Sequence, residues 1–432
     1  MDPIVAQLDI VTNPLNASKV ARFGYLCQYF AVGLVYGGLP ATTYGVLVGY
    51  LNVPSFVYAT ATNVLTLPWS FKFLFGAIND CMPILGYRRK PYMVMGWAFC
   101  AAFLFLLSRQ PMPAPYWCFD EVTQSYLLDR PPCNPDAATM GGSITLLMTL
   151  AALGYVVADV AADGLTVQYA RNEPESKRGY IQSTAYMTRT FGQIAAYCLV
   201  GFGMNGKKYL GTFSVGLSFP QVALVFATTS ALMVPISACT IHEAKRAESE
   251  RTTGRMYLAA TWQMLKSKAF FFVLLFQFLN PAIQYVNSTA TVCKCQHAMP
   301  CDPTAVFRER STRVPLMPMH PCSRIACCDA DVQRYWAEVE TLQNQLMNVA
   351  GYLLFSLGLL CVRERYLGAS WRLMLALTTV SLYVIDAPFQ FLTIFGVVRN
   401  QYFFLGATLL SELPDAIFFV VSCFVIVEMA EE

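Results

Sequence analysis

Asp159 and Asp163 lie in the apolar run ITLLMTLAALGYVVADVAADGLTVQYA, which opens at Ile144 and closes at Ala170. About 20 apolar residues suffice to cross the hydrocarbon of a bilayer. The run is therefore read as a membrane span that carries two carboxylates one helical turn apart. A carboxylate in hydrocarbon costs several kcal/mol. It is kept there when it pairs with a buried cation, lines a watery cavity or takes up a proton. All three uses point to solute movement across a membrane. Backbone groups inside lipid must also be hydrogen-bonded internally, which leaves bundled helices as the natural solution for such a chain.

Composition agrees: 56% of the 432 residues are hydrophobic and 13% are charged, where a soluble domain carries about 25% charged residues. The net charge of +3 gives no support to nucleic-acid binding. The first 20 residues lack the basic-then-apolar order of a signal peptide, so the first apolar run reads as a retained span. Ten spans are predicted, at 23–49, 54–78, 91–108, 140–169, 179–203, 217–241, 269–291, 342–361, 371–395 and 401–427.

Basic loops set orientation. With a cytosolic N-terminus, the inner loops hold Arg88, Arg89 and Lys90, then Arg171, Lys177 and Arg178, then Lys245, Arg246, Arg251 and Arg255, then Arg363, Arg365 and Arg372. The outer loop at 109–138 holds only Arg109 and Arg130, whereas the second outer loop at 292–335 runs against the rule with six basic residues. Eight of 15 cysteines fall in these two loops: Cys118 and Cys133 in one, and Cys293, Cys295, Cys301, Cys322, Cys327 and Cys328 in the other. Such an even, one-sided set predicts disulfides. A zinc site that adds His297 and His320 is the alternative, although the spacing fits no standard finger.

The hydrophilic stretch 242–268 splits the spans into six and four, and 255–266 within it has an amphipathic look. The expected domains are a cytosolic segment 1–22, a six-helix bundle 23–241, a linker 242–268 and a second bundle 269–432. A repeated six-plus-six plan is common among transporters, so the last two spans are expected to be missing from this chain.

Residues 68–92 read PWSFKFLFGAINDCMPILGYRRKPY. Asp80 ends span two and faces Arg88 and Arg89 across a Gly-Tyr turn, an arrangement fit for a cytosolic gate. Taken together, Pro68-Trp69, Lys72, Gly76, Asp80, Pro83, Gly86-Tyr87-Arg88-Arg89 and Pro91-Tyr92 resemble the signature of the folate–biopterin transporter family, a branch of the major facilitator superfamily. Asp159-Val160, Asp163, Ala170-Arg171, Glu175-Ser176, Gly179 and Gln182-Ser183 are similar to that family's second motif and its continuation. The chain departs from the pattern at Phe73, where the family usually has Pro, and at Gln168, where it usually has Glu. The resemblance implies an all-α polytopic membrane protein of the major-facilitator two-bundle type with twelve spans. It also implies a folate- or pterin-like substrate.

Depth follows from a rise of about 1.5 Å per residue. Lys72 and Asp163 then lie about 12 Å from the inner end, Arg189 about 15 Å and Asp159 about 18 Å. Two cations and two carboxylates thus share a layer near mid-membrane. Lys72 and Arg189 are expected to attract an anionic solute, with Asp159 and Asp163 balancing them and one of the two taking a proton. Trp69, Tyr155 and Tyr186 are aromatic neighbours for a flat ring, although aromatics are common throughout this chain. The expected function is a proton-coupled secondary transporter (a symporter) in the plasma membrane, with no cofactor and no enzymatic activity. The alternative is a non-transporting receptor or scaffold built on the Cys-rich loop, or an inactive truncated transporter. No phosphate-binding loop, HExxH or GxSxG occurs, which argues against ATP-driven transport and the common membrane hydrolases.

Overall fold

The computed structural model describes residues 19–127, 130–170, 180–243, 245, 254–284, 340–361, 371–394 and parts of 397–418. The described chain is almost wholly helical. Helix α1 spans Lys19–Thr43 and widens into a π-helical turn over Tyr44–Tyr50. Helices α2 (Ser55–Ser70) and α3 (Lys72–Cys81) follow, then α4 (Lys90–Arg109). A two-stranded hairpin, β1 (Cys118–Asp120) and β2 (Ser125–Leu127), precedes α5 (Gly141–Ala170) and α6 (Tyr180–Cys198). Then come α7 (Phe219–Thr240), α8 (Gly254–Lys266), α9 (Lys268–Gln284), α10 (Thr341–Cys361) and α11 (Trp371–Ile394).

Four helical stretches among the described residues are long and apolar enough to cross a membrane: Lys19–Tyr50, Lys90–Arg109, Pro135–Tyr169 and Phe219–Thr240. Span two is not the single helix expected. Pro68 removes one backbone donor, and the helix breaks at Phe71, whose N–H turns back to the Pro68 carbonyl at 3.2 Å. Lys72 is the first residue after that break. The amphipathic piece of the linker does form a helix, α8, and none of its side chains is buried. Part of the expected tenth span, and the whole of 292–335 with Cys293, Cys295, Cys301, Cys322, Cys327 and Cys328, lie outside the described residues.

Packing explains how the helices between Lys19 and Thr240 hold together. Helix α1 lies mainly on α6, α4 lies between α5 and α7, and α2 and α3 rest on α5. Apolar burial drives no association between helices in lipid, so close fit and polar contacts must do so. Glycines supply the fit where α1 crosses α6. A Cβ on Gly33 would collide with the Arg189 carbonyl, and one on Gly192 with that of Phe30. Polar contacts tie three helices through Gln28 of α1. It accepts from Trp97 Nε1 of α4 at 2.6 Å and donates to Ser237 Oγ of α7 at 2.5 Å, all fully or nearly fully buried. Helix α7 is started by local chemistry: Ser218 and Gln221 form a capping box, with Pro220 in the first turn.

The two ends of the bundle differ. At one end the chain turns sharply through Leu85 and Gly86, both at positive φ, between a paired Ile84 and Tyr87. This is the backbone of a two-residue type I′ turn, and glycine is the residue that adopts it without strain. At the other end, Cys118 and Cys133 form the expected disulfide beside the β hairpin. Lys208 pairs with Glu121 there at 2.7 Å and its hydrogen bond holds the Glu121 carboxyl below the usual range. Helix α10 docks on α1, α6 and the Tyr209 segment at this disulfide end. Thr341 Oγ1 donates to the Tyr209 carbonyl at 2.7 Å, Gln345 Nε2 donates to the Ala41 carbonyl at 3.2 Å, and Tyr352 stacks on Tyr197 with ring centres 5.4 Å apart.

Candidate functional site

The four charges predicted from sequence to converge do converge. Asp159 and Asp163 share one face of α5 because residues four apart lie one above the other. Lys72 Nζ pairs with Asp159 Oδ2 and, at 2.9 Å, with Asp163 Oδ2. Arg189 Nη1 lies 3.9 Å from Asp159 Oδ1. The break at Phe71 delivers Lys72 from one side, and the glycine-tight crossing of α1 and α6 delivers Arg189 from the other.

Exposure grades across the cluster. Asp159 is fully buried and Arg189 nearly so, whereas the side chains of Lys72 and Asp163 keep 25% and 36% of their exposure. A buried ion pair is weak as a source of stability because desolvation offsets its attraction. The charges as drawn sum to zero, and half of them still face an open space. Such a cluster is suited to exchanging partners, since a solute that brings its own charge can replace an internal one.

Several contributing residues were missed from the sequence. Tyr29 donates to Asp163 Oδ1 at 3.2 Å, so Asp163 is held by Lys72 on one oxygen and by a phenol on the other. Thr166 Oγ1 lies 2.5 Å from the Tyr29 hydroxyl and 2.8 Å from that of Tyr25, and donates to the Ala162 carbonyl. A hydroxyl cluster thus backs Asp163. Trp69, which was anticipated, presents its ring to both cations, at 4.1 Å from Lys72 Nζ and 4.4 Å from Arg189 Cζ. Its indole N–H donates to the Tyr155 hydroxyl at 2.9 Å. Tyr36 was not anticipated and completes the box, 5.0 Å from Arg189 Cζ and 4.8 Å from the Trp69 ring. Tyr155 is thereby occupied as a partner of Trp69 and buried, so it is not a free face for a ligand.

The expected gate residues also meet. One oxygen of Asp80 receives Arg88 Nη2 at 2.7 Å and Arg89 Nη2 at 2.8 Å. Glu243, just past α7, was not foreseen. Its carboxylate accepts from the backbone N–H groups of Arg88, Arg89 and Lys90 at 2.9–3.1 Å. That anion sits at the start of α4, where the helix dipole favours negative charge. Burial lowers the Arg89 guanidinium from its ordinary range, and Asp80 opposes that shift. No group of three His, Cys, Asp or Glu side chains fit to hold a metal occurs among the described residues.

Fold and site together define a multi-pass, mostly helical integral membrane protein with a charged, partly exposed cluster where α3, α5 and α6 meet. A profile of the BT1 family matches residues 30–112 and 135–306, which is more than half of the chain, and the protein belongs to that family. It is a family of transporters, not of enzymes. Among curated proteins, a probable folate-biopterin transporter of Arabidopsis thaliana is 27% identical over 165 residues, covering 38% of this chain and 28% of its own. A folate-biopterin transporter of Synechocystis is 22% identical over 229 residues, covering 51% of this chain and 37% of its own. The matches thus span about a third of the length of these relatives. A solved D-xylose-proton symporter aligns over 94% of this chain and 90% of its own at 12% identity, with a TM-score of 0.38.

Proposed function

We propose that the protein is a secondary transporter for a folate, a biopterin or a related anionic or zwitterionic solute. It works by alternating access and is coupled to protons. The observation that carries this reading is the pairing of Lys72 and Arg189 with Asp159 and Asp163 in one partly open cluster. The substrate class leans on the names of the relatives.

In this reading Arg189 and Lys72 take the solute's negative group, Arg189 with its planar fork. Asp159 and Asp163 then lose cationic partners, and protonation of one of them keeps the buried charge balanced. Asp80 with Arg88 and Arg89 forms a gate at the cytosolic end, and the N-terminus is cytosolic. Residues 23–241 act as one bundle and 269–432 as a second, joined by the linker 242–268. Docking of α10 covers the disulfide end, and Asp80 with Arg88, Arg89 and Glu243 holds the other. The plasma membrane is the proposed location, consistent with a disulfide on the outer face.

The test is uptake of labelled folate, biopterin and S-adenosylmethionine by vesicles carrying the purified chain, at two external pH values. Saturable uptake of at least one, faster at the acidic value, is expected. Equal rates at both values would remove proton coupling, and no uptake of any would remove the transport reading.

A further inference from the structure

Helix α8 is not used by any step above. Its sequence, GRMYLAATWQMLK, leaves every side chain exposed or half-buried. Leu258, Trp262 and Leu265 fall at i, i+4 and i+7, and so form one apolar stripe. Leu258 is 70% exposed and Trp262 60%. Tyr257 and Thr261 are half-buried and lie on the side turned to the protein. That side packs against α3, and Tyr257 is near enough to Asp80 and Arg89 to feel both charges.

The charges around the stripe are all of one sign. Arg255 and Lys266 flank Trp262 at i−7 and i+4, with Lys266 Nζ 5.3 Å from the Trp262 ring. Lys268 follows at the start of α9, and residues 251–268 contain four basic residues and no Asp or Glu. Only Ser267 separates α8 from the strongly apolar α9. The helix therefore runs straight into α9, the apolar start of the seventh span expected from the sequence.

We infer that α8 lies in the interfacial layer of the bilayer. Leu258, Trp262 and Leu265 enter the acyl boundary while Arg255, Lys266 and Lys268 hold anionic lipid headgroups. Indole beside lysine on an apolar stripe suits that layer, where an amphipathic ring sits between hydrocarbon and water. Anionic lipid is the occupant because an acid-free, basic rim complements it and a neutral protein groove would not require that rim. The helix then rests with one face on the Asp80–Arg89 cluster and the other on the membrane.

The experiment places a benzophenone amino acid at position 258, 262 or 257 of the full chain, one at a time. Each variant is reconstituted in nanodiscs of neutral phosphatidylcholine or of phosphatidylcholine with one-third phosphatidylglycerol, then irradiated. Lipid adducts are expected at 258 and 262, at least fivefold above those at 257, and at least threefold higher with phosphatidylglycerol. The triple variant Arg255→Gln, Lys266→Gln, Lys268→Gln should lose that threefold gain and keep the adducts. Adducts to protein instead of lipid at 258 and 262, or no adducts there, would overturn the interfacial placement. Lipid adducts indifferent to headgroup charge would overturn the anionic-headgroup site. None of these readouts depends on transport.

Discussion

Asp159 has no ordinary hydrogen bond to a neutral group and depends on Lys72 and Arg189 for company. Removing its charge leaves two cations facing one remaining carboxylate. Breaking a buried pair costs about 3–5 kcal/mol, and the lower end applies because Lys72 is part-exposed and retains Asp163. Asp159→Asn should therefore lower the melting temperature of the purified protein sharply, and Lys72→Met in the same chain should restore part of the loss. An unchanged melting temperature in the single variant would show that the pairs are not coupled. The four charges were legible in the sequence because ionised groups are rare in apolar spans, so each stands out. Tyr29, Thr166 and Tyr36 were not, because hydroxyls and rings occur throughout such spans and only geometry picks out the few that meet.

Helical elements place those residues. Span two read as one continuous run, since hydropathy is blind to a backbone break; Pro68 was the available signal for the interruption at Phe71. The glycines of α1 and α6 were equally silent, since their role depends on which helices cross. Gly192→Val should push α6 off α1 and shift Arg189, with overpacking of about 1–3 kcal/mol. Uptake should fall at least tenfold while the chain still reaches the membrane, as surface labelling would check. Retained uptake would mean that the crossing does not position Arg189. The amphipathic segment 255–266 was visible as a pattern, and the structure adds which face it turns to Asp80. Glu243 had a faint signal as the first acid after span six, yet its three amide partners lie some 150 residues earlier and no local pattern links them.

At the scale of the whole molecule, a neutral charge cluster lies between two differently built ends, one closed by α10 and the other by Asp80, Arg88, Arg89 and Glu243. In the proposed mechanism, a solute that borrows Arg189 and Lys72 from their internal partners would loosen contacts among α3, α5 and α6 at once and so link the site to both ends. The most direct measurement is equilibrium binding of labelled folate or biopterin, whichever the chain takes up, to purified wild type and to Arg189→Leu, with melting curves confirming that both are folded. The account predicts at least a tenfold loss of affinity in the variant. Equal affinity in a folded Arg189→Leu protein would contradict it.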